Sequence, residues 1–427
     1  MSSERPLDQT SSQTRGIIGW CLYDWANSAF PTVITTFVFA AYFTKAVAAD
    51  PVSGTEQWSY AISASALAVA VTGPVLGAIA DHAGARKPWI AVLTFICVIA
   101  TAMLWFTRPD PSDIIWVLFF VALANYAFEM GMVFYNAMLA DIAPKPLTGR
   151  ISGWGWGLGY AGGLLCLAVA LVLFVQPDPA LFGLDKSASE PIRATALLVA
   201  VWFAVFSIPL FLYTPDAPAS GRSVTAAVRR GLCEFIATIR RLRDYAQIVR
   251  FLIARMFYAD GLTTLFAFGG IYAAGTFGMG FSELIVFGIA LNVTAGLGAA
   301  AFGWVDDALG SKKTIMIAVS ALIVLSTAVL LAPSKTWFWI LAMPLGIFVG
   351  PAQAASRSMM THLTPPDVRN EMFGLYALSG KATAFMGPAL LGWVTAMADS
   401  QRIGMATILV FFGIGLLLLL TVRDIKK

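Results

Sequence analysis

Apolar residues in this chain neither alternate nor keep to one face; they run on for about twenty positions at a time, broken by short polar stretches. Continuous runs of roughly that length are what a helix needs to cross a hydrocarbon core of about 30 Å. Twelve such segments are predicted, at about 17–45, 57–80, 88–107, 112–138, 151–175, 194–213, 248–275, 282–305, 313–332, 336–360, 370–398 and 402–422. Membrane strands would alternate lipid-facing and polar residues, and that alternation is missing, so the expected fold is all-α.

One polar interruption is written twice. Gly77 is followed by Asp81, Gly84, Arg86 and Lys87, and the same spacing returns as Gly303, Asp307, Gly310, Lys312 and Lys313, about half a chain later. Each copy lies between the second and third apolar segments of its half. The expected architecture is therefore twelve transmembrane helices in two pseudo-symmetric six-helix bundles, residues 1–213 and 248–427, joined by a linker at 214–247. Within the linker Val224, Val228, Leu232, Ile236 and Ile239 recur at spacings of three or four among Arg229, Arg230, Arg240, Arg241 and Arg243. That is a basic amphipathic helix suited to an anionic lipid surface. Lys and Arg crowd the linker, both termini and both repeated loops, which places these on the cytoplasmic side of the plasma (inner) membrane.

Composition agrees: 58% of the 427 residues are hydrophobic and 12% charged, with a mean hydropathy of +0.76, more than a water-bathed surface tolerates. The four cysteines, Cys21, Cys97, Cys166 and Cys233, lack metal or redox spacing, and the two histidines, His82 and His362, lie far apart. Free thiols and no metal site are expected. Gly157 to Gly162 spells a GxGxxG, but without a preceding strand it reads as close helix packing. Gly374 to Lys381 imitates a phosphate loop with one residue too many. No nucleophile, acid and base combine into a catalytic set, so no catalytic residues, no cofactor and no enzyme activity are expected, nor nucleic acid as a partner. The polar start, Met1 to Arg15, lacks the apolar core of a cleavable signal, and the Asn292-Val-Thr294 sequon lies inside a predicted span.

The candidate chemistry sits within the spans, where a charge at a helix centre costs about 2.5–3.5 kcal/mol on insertion scales. The first helix carries Asp24, Asn27, Ser28 and Thr35 at helical spacing, and the fourth Asn125, Glu129, Met132 and Asn136. Arg255 and Asp260 fall in helix 7, Asn292 in helix 8, Arg357 in helix 10 and Lys381 in helix 11. Tyr23 and Tyr126 add aromatic faces and hydroxyls, although packing is the commoner role of such rings. Two readings stand: Asp24 or Glu129 pairs with Arg255, Arg357 or Lys381 to neutralise charge, or some of these hold a zwitterionic or anionic substrate while a carboxylate carries a proton. For the proton Glu129 is the first candidate and Asp24 the second. Glu283, at the start of helix 8, is expected to cap it.

Two six-helix halves with the doubled glycine-aspartate-glycine-basic loop resemble the major facilitator superfamily over essentially the whole chain. Tyr23-Asp24-Trp25-Ala26-Asn27-Ser28 is similar to the opening of its vacuole-effluxer-like branch, whose eukaryotic members are linked to autophagy and amino-acid efflux. Helix 4 departs from the proton-coupled pattern, with Asn125 and Glu129 where many members have arginine, and helix 5 lacks the antiporter proline motif because Tyr160 follows Gly159. The resemblance implies that Gly77, Asp81, Gly84, Arg86, Gly303, Asp307, Gly310 and Lys312 form a conformational latch, Asp81 facing the start of helix 11 and Asp307 the start of helix 5. It implies a monomeric secondary transporter of a small polar metabolite, an amino acid among the candidates, coupled to protons or another ion by alternating access. Lipid or lysolipid flipping and a non-transporting receptor are the alternatives.

Overall fold

The computed structural model describes residues 7–218, 244–279, 281–380, 383–384 and 386–423. The linker helix expected at 224–239, and Lys381, lie outside the described residues. Helices account for every regular element among the described residues: α1 Leu7–Asn27, α2 Pro51–Ala83, α3 Lys87–Met103, α4 Ile114–Ile142, α5 Thr148–Ala170, α6 Glu190–Tyr213, α7 Ala246–Phe277, α8 Phe281–Leu309, α9 Ser311–Leu330, α10 Lys335–Leu363, α11 Arg369–Ser379, α12 Met386–Ala398 and α13 Gln401–Leu420. Eleven helical stretches among the described residues are long and apolar enough to cross a membrane, with Met386–Ala398 a shorter apolar helix. Leu67, Phe95, Leu297 and Leu417 each expose about two thirds of their surface, which suits lipid tails as the solvent.

Two expected spans are not continuous helices. After α1 the chain passes through a wide helical segment at Phe30–Phe37, where Pro31 has no N–H to give the preceding turn, a short α-helical turn at Phe39–Tyr42 and a second wide segment at Phe43–Val47. Val38 N reaches back five residues to Val33 O at 3.0 Å, while Thr32 and Thr35 hydroxyls donate to Ser28 O and Pro31 O at 2.8 and 3.0 Å. The segment expected at 370–398 is instead two helices, α11 and α12. Gly380 ends the first, and Pro388 sits in the first turn of the second, where no backbone donor is needed.

The helices group into two compact units: residues 1–73, 83–142 and 158–222 form one, and 74–82, 143–157 and 223–427 the other. These units depart from the sequence halves at two short segments, 74–82 and 143–157. The pairing of helices repeats. In the first unit α1 packs on α6 and α3 on both α4 and α6; in the second α7 packs on α13 and α9 on both α10 and α13. Close approach is built from glycine: a Cβ on Gly162 would lie 2.8 Å from Trp25 Cα, so Gly159 and Gly162 of the GxGxxG seat α5 on α1.

Candidate functional site

In the first unit, α1 is held by aromatic contacts. Trp20 and Tyr135 stack with centroids 4.6 Å apart; Trp20 Nε1 donates to Tyr135 O at 3.1 Å and Tyr135 Oη donates to Trp20 O at 3.0 Å. Tyr23 packs on Tyr135 and Phe203, its hydroxyl 2.7 Å from Thr94 Oγ1, so this expected substrate contact is a buried packing group. On this frame Asn27 Nδ2 reaches Met132 Sδ at 3.3 Å, bringing the polar stripe of α1 to that of α4. Asn125 Nδ2 donates to Ser65 Oγ at 2.6 Å, and Tyr126 Oη lies 3.0 Å from Thr72 Oγ1. Asp24 is buried, whereas Tyr126, Glu129 and Asn136 are half-buried. Ser65 and Thr72 were not singled out in the sequence; their spacing of seven on α2 was the available signal.

In the second unit the buried Arg357 gives Nε to Ser152 Oγ at 2.9 Å and Nη2 to Ser152 O at 2.6 Å, with Ser152 Oγ donating in turn to Ala354 O. Its guanidinium therefore braces the first turns of α5. Arg255 Nη1 donates to Tyr376 O and Ser379 Oγ, both at 2.8 Å, and lies 3.6 Å over the Tyr376 ring. It holds the end of α11, where free carbonyls favour a cation. Asp260 Oδ2 accepts from Gly387 N at 3.1 Å at the start of α12. Asn292 Nδ2 bonds its own helix at Gly288 O. Glu283 pairs with Lys335 Nζ at 2.9 Å.

The doubled loop has a physical account in both copies. Gly84 and Gly310, which follow the ends of α2 and α8, have φ of 86° and 89°, backbone that a residue with a Cβ rarely adopts. Val368, ahead of α11, has no side-chain acceptor to cap it. The cap comes from α2: Asp81 Oδ1 accepts Asn370 N and Nδ2 at 3.0 and 2.7 Å, and Oδ2 accepts Glu371 N at 2.9 Å. Gly77 makes the approach possible, since a Cβ there would lie 2.8 Å from Glu371 N. In the second copy Asp307 Oδ1 accepts Arg150 N at 3.1 Å, with an ion pair to Arg150 Nε at 3.2 Å, and Gly303 lies against the Arg150 backbone. The basic residues act inside their own units. Lys87 Nζ donates to Phe211 O at 2.9 Å and Lys312 Nζ to Val422 O at 2.6 Å, tying α3 and α9 to the ends of α6 and α13. Arg86 pairs with Asp141. Asp216, which sequence reasoning missed, caps α3 by accepting Arg86 N and Lys87 N at 3.0 and 2.9 Å. Among the described residues no group of His, Cys, Asp and Glu is placed to hold a metal.

Residues 55–427 match the family described as Vacuole effluxer Atg22 like. The chain is 29% identical over 410 residues to the uncharacterized MFS-type transporter YxiO of Bacillus subtilis, covering 95% of this chain and 94% of that one. It is 26% identical over 283 residues to autophagy-related protein 22 of Cryptococcus neoformans, covering 62% of this chain and 48% of the relative. Among solved structures, the transporter FucP in the outward conformation superposes with a TM-score of 0.75 at 11% identity, over 97% of this chain and all of that one. The proton:xylose symporter XylE bound to 6-bromo-6-deoxy-D-glucose gives 0.73 at 14% identity, over 96% and 95%. At such identities these two show the fold alone.

Proposed function

Since the chain belongs to the Vacuole effluxer Atg22 like family of major facilitator transporters, and is thus a membrane transporter rather than an enzyme, we propose that it is a secondary transporter exporting a small polar metabolite, an amino acid among the candidates, by alternating access coupled to protons. The observation that carries this reading is the meeting of the α1 and α4 polar stripes at Asn27 and Met132 within membrane spans. Polar groups at that depth are costly unless they serve a pathway or each other. Substrate contacts are assigned to the half-buried polar face of α4, with Tyr126 and Asn136, and to Asn125, Asn27 and Asp24 beside it. Glu129 takes and releases the proton, with Asp24 second. Arg255, Asp260, Asn292 and Arg357 are bonded to backbone or hydroxyl groups, which supports a positioning role. The latch assignment for Asp81 and Asp307 is supported by the caps they supply to α11 and α5. We further propose a monomer in the plasma (inner) membrane; the distribution of Lys and Arg supports cytoplasmic termini and doubled loops.

The test is flux in proteoliposomes under an imposed pH gradient, with metabolites first selected by thermal stabilisation of the purified protein. Accumulation that follows the gradient is expected, and Glu129→Gln should abolish the gradient dependence. Binding without accumulation would make the chain a receptor, scrambling of labelled lipid would make it a flippase, and residual Glu129→Gln flux with unaltered pH dependence would remove Glu129 as the proton carrier.

A further inference from the structure

The face of α7 that meets the break between α11 and α12 carries two oxygens, Asp260 Oδ1 and Thr264 Oγ1, to which the transport reading gives no role. Asp260 and Thr264 lie one turn apart on this face, with 2% and 0% of their surface exposed. Asp260 Oδ2 is engaged by Gly387 N, but Asp260 Oδ1 and Thr264 Oγ1 have no hydrogen-bond partner among the described residues. The two atoms are neighbours, since a Cβ on Gly387 would lie 3.0 Å from Oδ1 and collide with Oγ1. They nevertheless do not bond to each other. Buried acceptors are rarely left so, and a buried carboxylate needs a counter-charge. Arg255 does not supply it, because its guanidinium is engaged with Tyr376 and Ser379 at the end of α11.

We infer that Asp260 Oδ1 and Thr264 Oγ1 are ligands of a sodium site on α7 at the α11–α12 break. Hard cations take oxygen ligands such as carboxylate, hydroxyl and carbonyl. A single positive charge balances one carboxylate, whereas a divalent ion would leave an excess in the membrane interior. A proton on Oδ1 would remove the charge but serve only one of the two oxygens, since they are not in hydrogen-bond contact. Gly387 is the small residue that lets both oxygens come up to the α12 backbone. Discontinuous membrane helices are where backbone and side-chain oxygens gather for ions. With sodium bound, α11 is fastened to α7 through Arg255, and α12 through the cation and Asp260.

The test uses the full-length protein purified in detergent, comparing thermal unfolding in sodium chloride with N-methylglucamine chloride at fixed ionic strength and pH, together with equilibrium binding of radioactive sodium. Sodium should raise Tm saturably. Thr264→Val, which keeps the side-chain shape, should raise the half-saturating sodium concentration about tenfold or more, equivalent to about 1.4 kcal/mol, with Tm in N-methylglucamine unchanged. Asp260→Asn should abolish the response; if that variant does not fold, Thr264→Val decides. Equal Tm in the two salts for the unmodified protein would overturn the site, as would a sodium response surviving in the variants. A response to pH alone that Asp260→Asn removes would overturn it in favour of a proton. The measurement needs no transport, so its failure leaves the transport reading standing, and the reverse.

Discussion

Replacing Asp81 by Asn removes a charge while keeping the side chain's shape, and the structure sets the size of the effect. Asp81 accepts three hydrogen bonds at the second and third residues of α11. The amide oxygen of an asparagine can keep the pair from Asn370, but its NH2 group then faces Glu371 N, donor against donor. Leaving one partly buried N–H without that acceptor costs about 1–3 kcal/mol, and losing the carboxylate from a helix N-terminus adds about 0.3–1 kcal/mol. The sum, about 1.3–4 kcal/mol, corresponds to roughly 9- to 900-fold more frequent opening of this contact. Hydrogen–deuterium exchange of the peptide spanning residues 369–373 reads that opening directly, and Asp81→Asn should speed its exchange within this range while peptides from α3 and α4 are unaffected. Unchanged protection of Asn370 and Glu371 would refute the cap as the source of this end's stability, and with it the latch assigned to Asp81.

Further expectations rest on single contacts. Gly162→Val should lower Tm by several degrees, because the added carbons meet the Trp25 backbone, an overpacking cost of about 1–3 kcal/mol. Gly392→Ala, where a Cβ meets nothing within 4 Å, should leave Tm unchanged or slightly raised; the reverse order of these two in a melting assay would contradict the packing described. Tyr135→Phe keeps the ring on Trp20 but loses the bond to Trp20 O, and should cost about 0.5–1.5 kcal/mol in denaturant titration. Lys312→Met should loosen the end of α13, seen as faster exchange around Val422.

Much of this molecule is present in its linear order. Solvent alone demands long uninterrupted apolar helices, and a motif written twice announces two related bundles, so fold class, helix number and the doubled loop follow from positions such as Gly77, Asp81, Gly303 and Asp307. The likeness to a known family even directs Asp81 to the start of helix 11. What the order of residues leaves open is which partner each polar group finds. Arg357 on Ser152 and Asp216 on the amides of Arg86 and Lys87 join residues about 130 to 205 positions apart, and nothing in periodicity encodes such pairs. The break at Gly380 was hidden because apolar residues continue on both sides, and only the contacts of Arg255 with the end of α11 and of Asp260 with the start of α12 show why an interrupted helix is tolerated there. Hydrophobic transfer acts on each segment by itself and is legible locally; hydrogen bonds and charge compensation depend on distances of about 3 Å between remote segments, which exist only once the helices have packed.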